Sequence, residues 1–176
     1  MVTSRIEITK QDQKILLSIE EALERITLPT TYRERGNSQG HSKKTGANKQ
    51  KGARQACFGY THSQGKKQLS VHSLKYPHIL ELFTKFMESH NPSFEFGSVY
   101  VNRNVQCIKH LDSANVGESL LVGLGDYTGG ETRLYLDDEV KDVDIKTQSL
   151  IFNGAEIEHE TLPFEGTRYS LVFFNL

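Results

Sequence analysis

The sequence predicts a mainly β fold with flanking helices, and three observations carry that expectation. From Phe94 onward, short apolar segments recur as FEFGSVYVN, VQCIKHLD, ESLLVGLG, ETRLYL, QSLIFN and RYSLVFFN. They are separated by the turn-rich GDYTGG, DDEVKD and LPFEG, and regular short strands punctuated by turns argue for a barrel or a sandwich. Ahead of them lie two stretches with helical spacing, and no alternation of strands with helices signals a parallel sheet.

Each element has its own justification. Between Thr9 and Thr27 the apolar residues Ile15, Leu16, Ile19, Leu23 and Ile26 recur at helical spacing, with Thr9 placed as N-cap and Pro29 just beyond the end. The segment RGNSQGHSKKTGANKQKGARQ, Arg35 to Gln55, then gives up periodicity for Gly, Ser, Asn and Lys. It reads as a mobile basic loop. A second helix is expected to begin near Pro77, bury Leu80, Phe83 and Met87, and stop at HNP. On this reading two helices precede every strand. Within the strand region, Gly129 and Gly130 read as a hairpin turn.

The 176 residues suit one domain spanning 1–176. Residues 1–93 would form a helical buttress with a basic loop near 33–67, and residues 94–176 the β core. A hydrophobic content of 36% with 24% charged residues excludes a disordered or fibrous chain. The two cysteines, Cys57 and Cys107, lie outside any CxxC pattern, so neither a disulfide framework nor a cysteine zinc site is indicated. The N-terminus lacks the apolar core of a signal peptide, and no run approaches the roughly 20 apolar residues of a membrane span. These features predict an intracellular protein, cytoplasmic or nuclear, that is neither secreted nor in a membrane.

Charge is unevenly placed. Arg33 to Lys67 holds nine Lys or Arg against one Glu, whereas Glu95 to Leu176 holds fourteen acids against six bases. A basic segment suits the phosphates of DNA. Arg54, Tyr60 and His62 are its candidate substrate contacts, with Tyr32 and Phe58 near enough in sequence to stack on or wedge at a displaced base.

His110 and Asp112 lie two residues apart at the end of an expected strand, which would place both on one face. His159 follows 47 residues after Asp112, Arg168 nine residues later, and Ser170 two further on. Two imidazoles and one carboxylate can hold non-haem Fe(II) on one side and leave coordination positions open. Arg168 and Ser170 share a strand face, where an arginine fork and a hydroxyl can grip a carboxylate.

HLD, GLGDYTGGETRLY and NGAEIEHETLPFEGTRYSLVFF together resemble the Fe(II)/2-oxoglutarate-dependent dioxygenases, over Gly97 to Leu176. The resemblance implies a double-stranded β-helix core, a jelly roll of cupin-like form, buttressed by the N-terminal helices. It implies iron ligands His110, Asp112 and His159, with Arg168 and Ser170 on the distal carboxylate of 2-oxoglutarate. The cosubstrates would be 2-oxoglutarate and O2, with ascorbate as a candidate reductant. Asn102 and Tyr100 alternate on the preceding strand, and one face of it would reach the keto end of 2-oxoglutarate.

Within that superfamily, HLDSANVGESLLVGLGDYTGGETRLY is most similar to the TET/J-binding-protein group of 5-methylpyrimidine dioxygenases. That resemblance implies oxidation of the 5-methyl group of 5-methylcytosine or thymine in DNA, with Asn115 presented to the base edge or shaping the turn after Asp112. The cysteine-rich zinc regions of animal members have no counterpart here. Two other readings stand beside it: a protein or peptide hydroxylase of the prolyl type, and a non-catalytic nucleic-acid-binding barrel.

Overall fold

The computed structural model describes residues 3–29 and 53–176. Strand β1 (Ser4–Glu7) precedes helix α1 (Lys10–Glu24). The hairpin of β2 (Arg54–Ser63) and β3 (Lys66–Leu69) leads to α2 (Val71–Lys75) and α3 (Pro77–His90). The remaining strands are β4 (Ser98–Arg103), β5 (Ser119–Leu124), β6 (Tyr127–Gly129), β7 (Thr132–Tyr135), β8 (Val140–Val143), β9 (Gln148–Phe152), β10 (Glu158–Thr161), β11 (Phe164–Gly166) and β12 (Tyr169–Phe174). Among the described residues they form a major sheet in the order β1-β9-β5-β12-β4-β2-β3, a minor sheet β10-β7-β8 and a pair β11-β6. All pairings are antiparallel. This is the expected double-stranded β-helix with flanking helices.

Period-two alternation divides the major sheet into two chemically different faces. Ala56, Phe58, Val99, Val101, Leu120, Val122, Leu171 and Phe173 point to one side. There they join Ile15, Leu16, Ile19 and Leu23 of α1 and Ile79, Phe83, Phe86 and Met87 of α3 in a single apolar core. Phe173 meets Phe83 and Phe96 edge-on at centroid distances of 6.0 and 5.0 Å, a favoured aromatic geometry. On the other side a smaller core, Leu121, Leu134, Val143, Ile145, Leu150, Phe152 and Ile157, holds the minor sheet against the major one. The space beside that second core remains open as a cavity.

The structure corrects several expectations. Strands β1, β2 and β3 join the sheet from the N-terminal half, so the two helices do not precede every strand. Strand β2 escapes a pattern search because its apolar Ala56 and Phe58 serve the helix side while Gln55 and Cys57 face the cavity. The short α2 was likewise not expected. VQCIKHLD is not a strand: Asn104 turns the chain at φ 52, its side chain accepts from the Arg168 amide at 2.9 Å, and regular pairing stops there. Gly129 and Gly130 do not join a hairpin, because β6 pairs with β11 and β7 with β8 and β10. The body of the basic segment, including Tyr32, lies outside the described residues. Among the described residues no helix is long and apolar enough to cross a membrane.

The helix layer is fastened by a polar chain. Thr9 accepts from the Asp12 amide at 3.1 Å while the Asp12 carboxylate accepts from the Thr9 amide at 3.0 Å, a reciprocal capping box. The same carboxylate, fully buried, accepts from Ser89 Oγ at 2.7 Å and lies 2.9 Å from His90 Nδ1. His90 Nε2 lies 2.7 Å from Ser149 Oγ on β9. Because a carboxylate only accepts, Nδ1 donates to Asp12, and Nε2 shares a hydrogen bond with the Ser149 hydroxyl. One buried imidazole thus links α1, α3 and the sheet.

Burial raises the Asp12 carboxyl, but bonds from His90, Ser89 and Thr9 outweigh it and hold the group below its ordinary value. The stability it contributes is therefore complete above the unfolded carboxylate pKa of about 4 and fades as pH falls through the lower folded value. Asp12→Asn is expected to cost about 2 to 3 kcal/mol at neutral pH. Denaturant unfolding of both proteins down to about pH 3 should show that gap narrowing, whereas a constant gap would assign the loss to packing.

Candidate functional site

The backbones of His110 and His159 bind each other directly. His110 N–H donates to the His159 carbonyl and His159 N–H to the His110 carbonyl, both at 3.0 Å, forming an isolated antiparallel bridge. Directly opposed residues of such a pair project to the same side, and the two rings lie 4.3 Å apart by centroid. The Asp112 amide donates to the Gly154 carbonyl at 2.8 Å, which brings the carboxylate under both rings. Asp112 Oδ1 is 3.4 Å from His110 Nε2, and Oδ2 is 3.4 Å from His159 Nε2. Hence the expected pair converges without the expected strand.

The donor set fits a divalent transition metal. His110 Nδ1 lies 2.6 Å from the Ile108 carbonyl and His159 Nδ1 2.9 Å from the Ile157 carbonyl. A carbonyl only accepts, so both Nδ1 atoms carry the proton and both Nε2 lone pairs are left for a ligand role. The three ligand atoms lie within 4.8 Å of one another; atoms bound at about 2.1 Å to one ion sit about 3 to 3.5 Å apart. Burial would raise the Asp112 carboxyl, but the adjacent imidazoles outweigh it and hold the group well below the usual carboxylate range. Two imidazoles and an anionic carboxylate are the 2-His-1-carboxylate set of non-haem Fe(II).

These ligands open onto a cavity of about 580 Å³ that also contains Arg168 and Ser170, a volume typical of small-molecule sites. Arg168 is 2% exposed. Its Nε donates to the Gly130 carbonyl at 3.1 Å, and its guanidinium carbon lies 5.5 and 5.6 Å from the ring centroids of Tyr127 and Phe164. Burial lowers its pKa, yet a guanidinium remains charged. Among the described residues no carboxylate forms an ion pair with it, and a buried cation without an anion calls for an anionic ligand. Gly130 makes the space: a Cβ there would lie 2.7 Å from Arg168 Nε.

Beside Arg168 runs a directed polar row on the cavity face of β2, β4 and β12. Gln55 Nε2 donates to Asn102 Oδ1 at 2.6 Å, and Asn102 Nδ2 donates to Ser170 Oγ at 3.2 Å. Asn102 lines the cavity but is occupied in setting the Ser170 hydroxyl. With its oxygen already accepting, Ser170 turns its proton outward as a donor. Tyr100 also lines the cavity, with Cys57 beside it on β2. Burial pushes the Cys57 thiol up to about 11, which keeps it protonated and inert at neutral pH.

The remaining candidates divide. Asn115 lines the cavity, and its amide also closes the turn by donating to the Asp112 carbonyl at 2.9 Å. His62 reaches the cavity wall from the β2–β3 hairpin. Arg54 and Tyr60 are not on that wall; Arg54 pairs across to Arg103, and Tyr60 lies half-exposed beneath Lys67. Gln55 was missed, because it belongs to no spaced motif and acquires its role only from its neighbour Asn102 across the sheet.

No protein-family model matches the chain, and neither does any curated protein. Solved structures do. A 2OG-Fe(II) oxygenase family oxidoreductase from Burkholderia pseudomallei is similar at 18% identity, covering 90% of this chain and 77% of that one, with a TM-score of 0.58. NgTET1 in complex with 5mC DNA is similar at 16% identity, covering 98% and 71%, with a TM-score of 0.59. A prolyl hydroxylase from Trichoplax adhaerens, in complex with a hypoxia inducible factor peptide fragment, is similar at 15% identity, covering 98% and 82%, with a TM-score of 0.57. The chain therefore has the double-stranded β-helix fold of the 2-oxoglutarate Fe(II) oxygenases.

The purified protein is expected to bind one Fe(II) or Mn(II) per chain. His110→Ala and Asp112→Ala should each weaken that binding by more than about 100-fold while leaving the far-ultraviolet circular dichroism unchanged. Calorimetric titration with Mn(II) measures it; wild-type affinity in either variant would remove the ligand assignment.

Proposed function

We propose that the protein is an Fe(II)/2-oxoglutarate-dependent dioxygenase that oxidises the 5-methyl group of 5-methylcytosine or thymine in DNA. The observation that carries the enzyme class is the meeting of His110, Asp112 and His159 in one cavity with the buried, anion-seeking Arg168. Iron, when bound, supplies the redox chemistry that couples decarboxylation of 2-oxoglutarate to hydroxylation of the substrate. His110, Asp112 and His159 would hold it on one side, which leaves the cavity side for cosubstrate and O2. Arg168 and Ser170 would fix the distal carboxylate of 2-oxoglutarate and so orient its keto acid end toward the metal. The enclosing walls, with Leu121, Val172 and Phe174 among them, limit water at the reacting centre.

The finer reading rests on Asn115 and on the likeness to NgTET1 with 5mC DNA. Asn115 lines the cavity, and because its Nδ2 donates to Ser119 Oγ at 3.2 Å, its carbonyl oxygen is the atom left to serve as an acceptor. An acceptor suits the exocyclic amine of cytosine, whereas thymine presents an oxygen at that position. This favours 5-methylcytosine. The prolyl hydroxylase likeness is of equal strength and supports the second reading, hydroxylation of a peptide.

Incubation with Fe(II), 2-oxoglutarate, ascorbate and DNA containing 5-methylcytosine, followed by digestion to nucleosides, should yield a nucleoside heavier by one oxygen together with succinate. Succinate released only with peptide substrates would transfer the assignment to the second reading; no succinate in any mixture would end both. In the same assay Gly130→Ala, whose added methyl crowds Arg168, should raise the KM for 2-oxoglutarate about tenfold or more. Mn(II) affinity should stay at the wild-type value.

A further inference from the structure

The two sides of the cavity are charged differently. The minor sheet and the segment before His110 neutralise their own cations: Lys109 Nζ lies 2.7 Å from Glu158 Oε2, and Arg133 Nε lies 2.7 Å from Asp142 Oδ1. The β2–β3 hairpin does not. From Ala53 to Leu80 the sequence holds Arg54, Lys66, Lys67 and Lys75 and no Asp or Glu. Among the described residues, no Asp or Glu side chain forms an ion pair with any of the three lysines.

The hairpin also exposes apolar surface. Tyr60 pairs with Leu69 and His62 with Lys67, so these four side chains share one face. Four of the seven large apolar side chains that are exposed among the described residues, Tyr60, Leu69, Val71 and Leu74, fall in this hairpin and the short α2 after it. The face joins the cavity. His62 lines it, and Lys67 Nζ, 5.4 Å from the Tyr60 ring centroid, lies 3.5 Å from the carbonyl oxygen of Leu176, another lining residue.

Lysines alone on an edge strand serve to discourage unwanted pairing. That task does not call for an exposed aromatic–aliphatic pair beside them, which marks a surface that meets a partner. The partner is anionic and presents flat apolar groups as well. An acidic peptide supplies the charge, whereas a nucleic-acid strand supplies both, with a phosphate and a stacking base at each nucleotide. An enzyme that acts on a base takes it out of the stack, which leaves the next base with an open face.

We propose that the Tyr60–Leu69 face of the β2–β3 hairpin is the platform for the DNA strand flanking the target base, with Lys67 on a phosphate, Tyr60 and Leu69 against the neighbouring base, and His62 where the displaced nucleotide turns into the cavity. This rests on the proposed function and adds to it the element that holds the substrate.

Fluorescence anisotropy of a labelled oligonucleotide containing 5-methylcytosine, titrated with Mn(II)-loaded protein, tests it. Lys67→Gln should weaken binding about three- to tenfold near 0.1 M salt and lower the slope of log Kd against log salt by about one. Tyr60→Ala should weaken it about fivefold or more with the slope unchanged. Lys85→Gln, on α3 at the helix side of the sheet, should change neither. All three variants should bind 2-oxoglutarate as wild type does, which separates a lost contact from misfolding. Wild-type affinity and slope in Lys67→Gln, an equal loss in Lys85→Gln, or wild-type affinity in Tyr60→Ala would each overturn the proposal. So would a loss confined to acidic peptides, which would make the hairpin a peptide surface. Wild-type protein that binds no oligonucleotide but releases succinate with a peptide would end the DNA reading itself, and this assignment with it.

Discussion

Two backbone hydrogen bonds between His110 and His159 set the geometry on which the rest of the site depends. They join an irregular segment to the minor sheet, where the Thr161 amide also donates to the Cys107 carbonyl at 2.8 Å and no strand on the His110 side shares the work. A mutual pair of this kind fixes distance and direction together: two imidazoles that face each other across it must project to one side. The Ile108 and Ile157 carbonyls, each two residues before its histidine, then set the tautomer of each ring. Ligand direction is thus specified almost wholly by main chain.

The major sheet makes this arrangement affordable in stability by separating two tasks between its faces. Its helix-facing side carries a continuous apolar core, with Phe58, Phe83, Phe86 and Phe173 all fully buried. Burying each such ring contributes on the order of 2 kcal/mol or more. The opposite face can then hold Gln55, Asn102 and Ser170, which would be costly in a core without that compensation. Each of the three is hydrogen-bonded, so the polar row orders the cavity floor and does not weaken it. The direction of the row matters as much as its existence, because an amide donating to Ser170 leaves the hydroxyl proton to a ligand.

The motif residues were legible because their chemistry survives without coordinates. His110, Asp112, His159, Arg168 and Ser170 are unusual in type and ordered in spacing, and the cavity brings all five together. The local reasoning about VQCIKHLD nevertheless failed. Its alternation resembles a strand, but Asn104 breaks the pairing and the histidine bridge replaces it, so convergence arises from a tertiary contact that alternation does not encode. Strand β2 was hidden for the opposite reason: its two faces serve an apolar core and a polar cavity, and the basic residues before it mask the change. Gly130 was read as a turn residue, and it does adopt φ 71, yet its lack of a side chain is also what admits Arg168.

What unites Arg168 and Ser170 is an imbalance that neither residue reveals alone. A folded protein normally closes its buried donors on its own acceptors. Here the acceptors near these donors are already spent: Gly130 O receives Arg168 Nε, and Ser170 Oγ receives Asn102. Among the described residues the cavity therefore holds the Arg168 cation with no carboxylate paired to it and the Ser170 hydroxyl with its proton uncommitted, an arrangement that costs stability. An incoming carboxylate recovers the stored cost as well as forming new bonds. A neutral group of the same shape recovers only part, because it does not neutralise Arg168. On the proposed function, the preference for an anionic cosubstrate would follow from how the pocket is left unbalanced, before any contact with the reacting end of the molecule is considered.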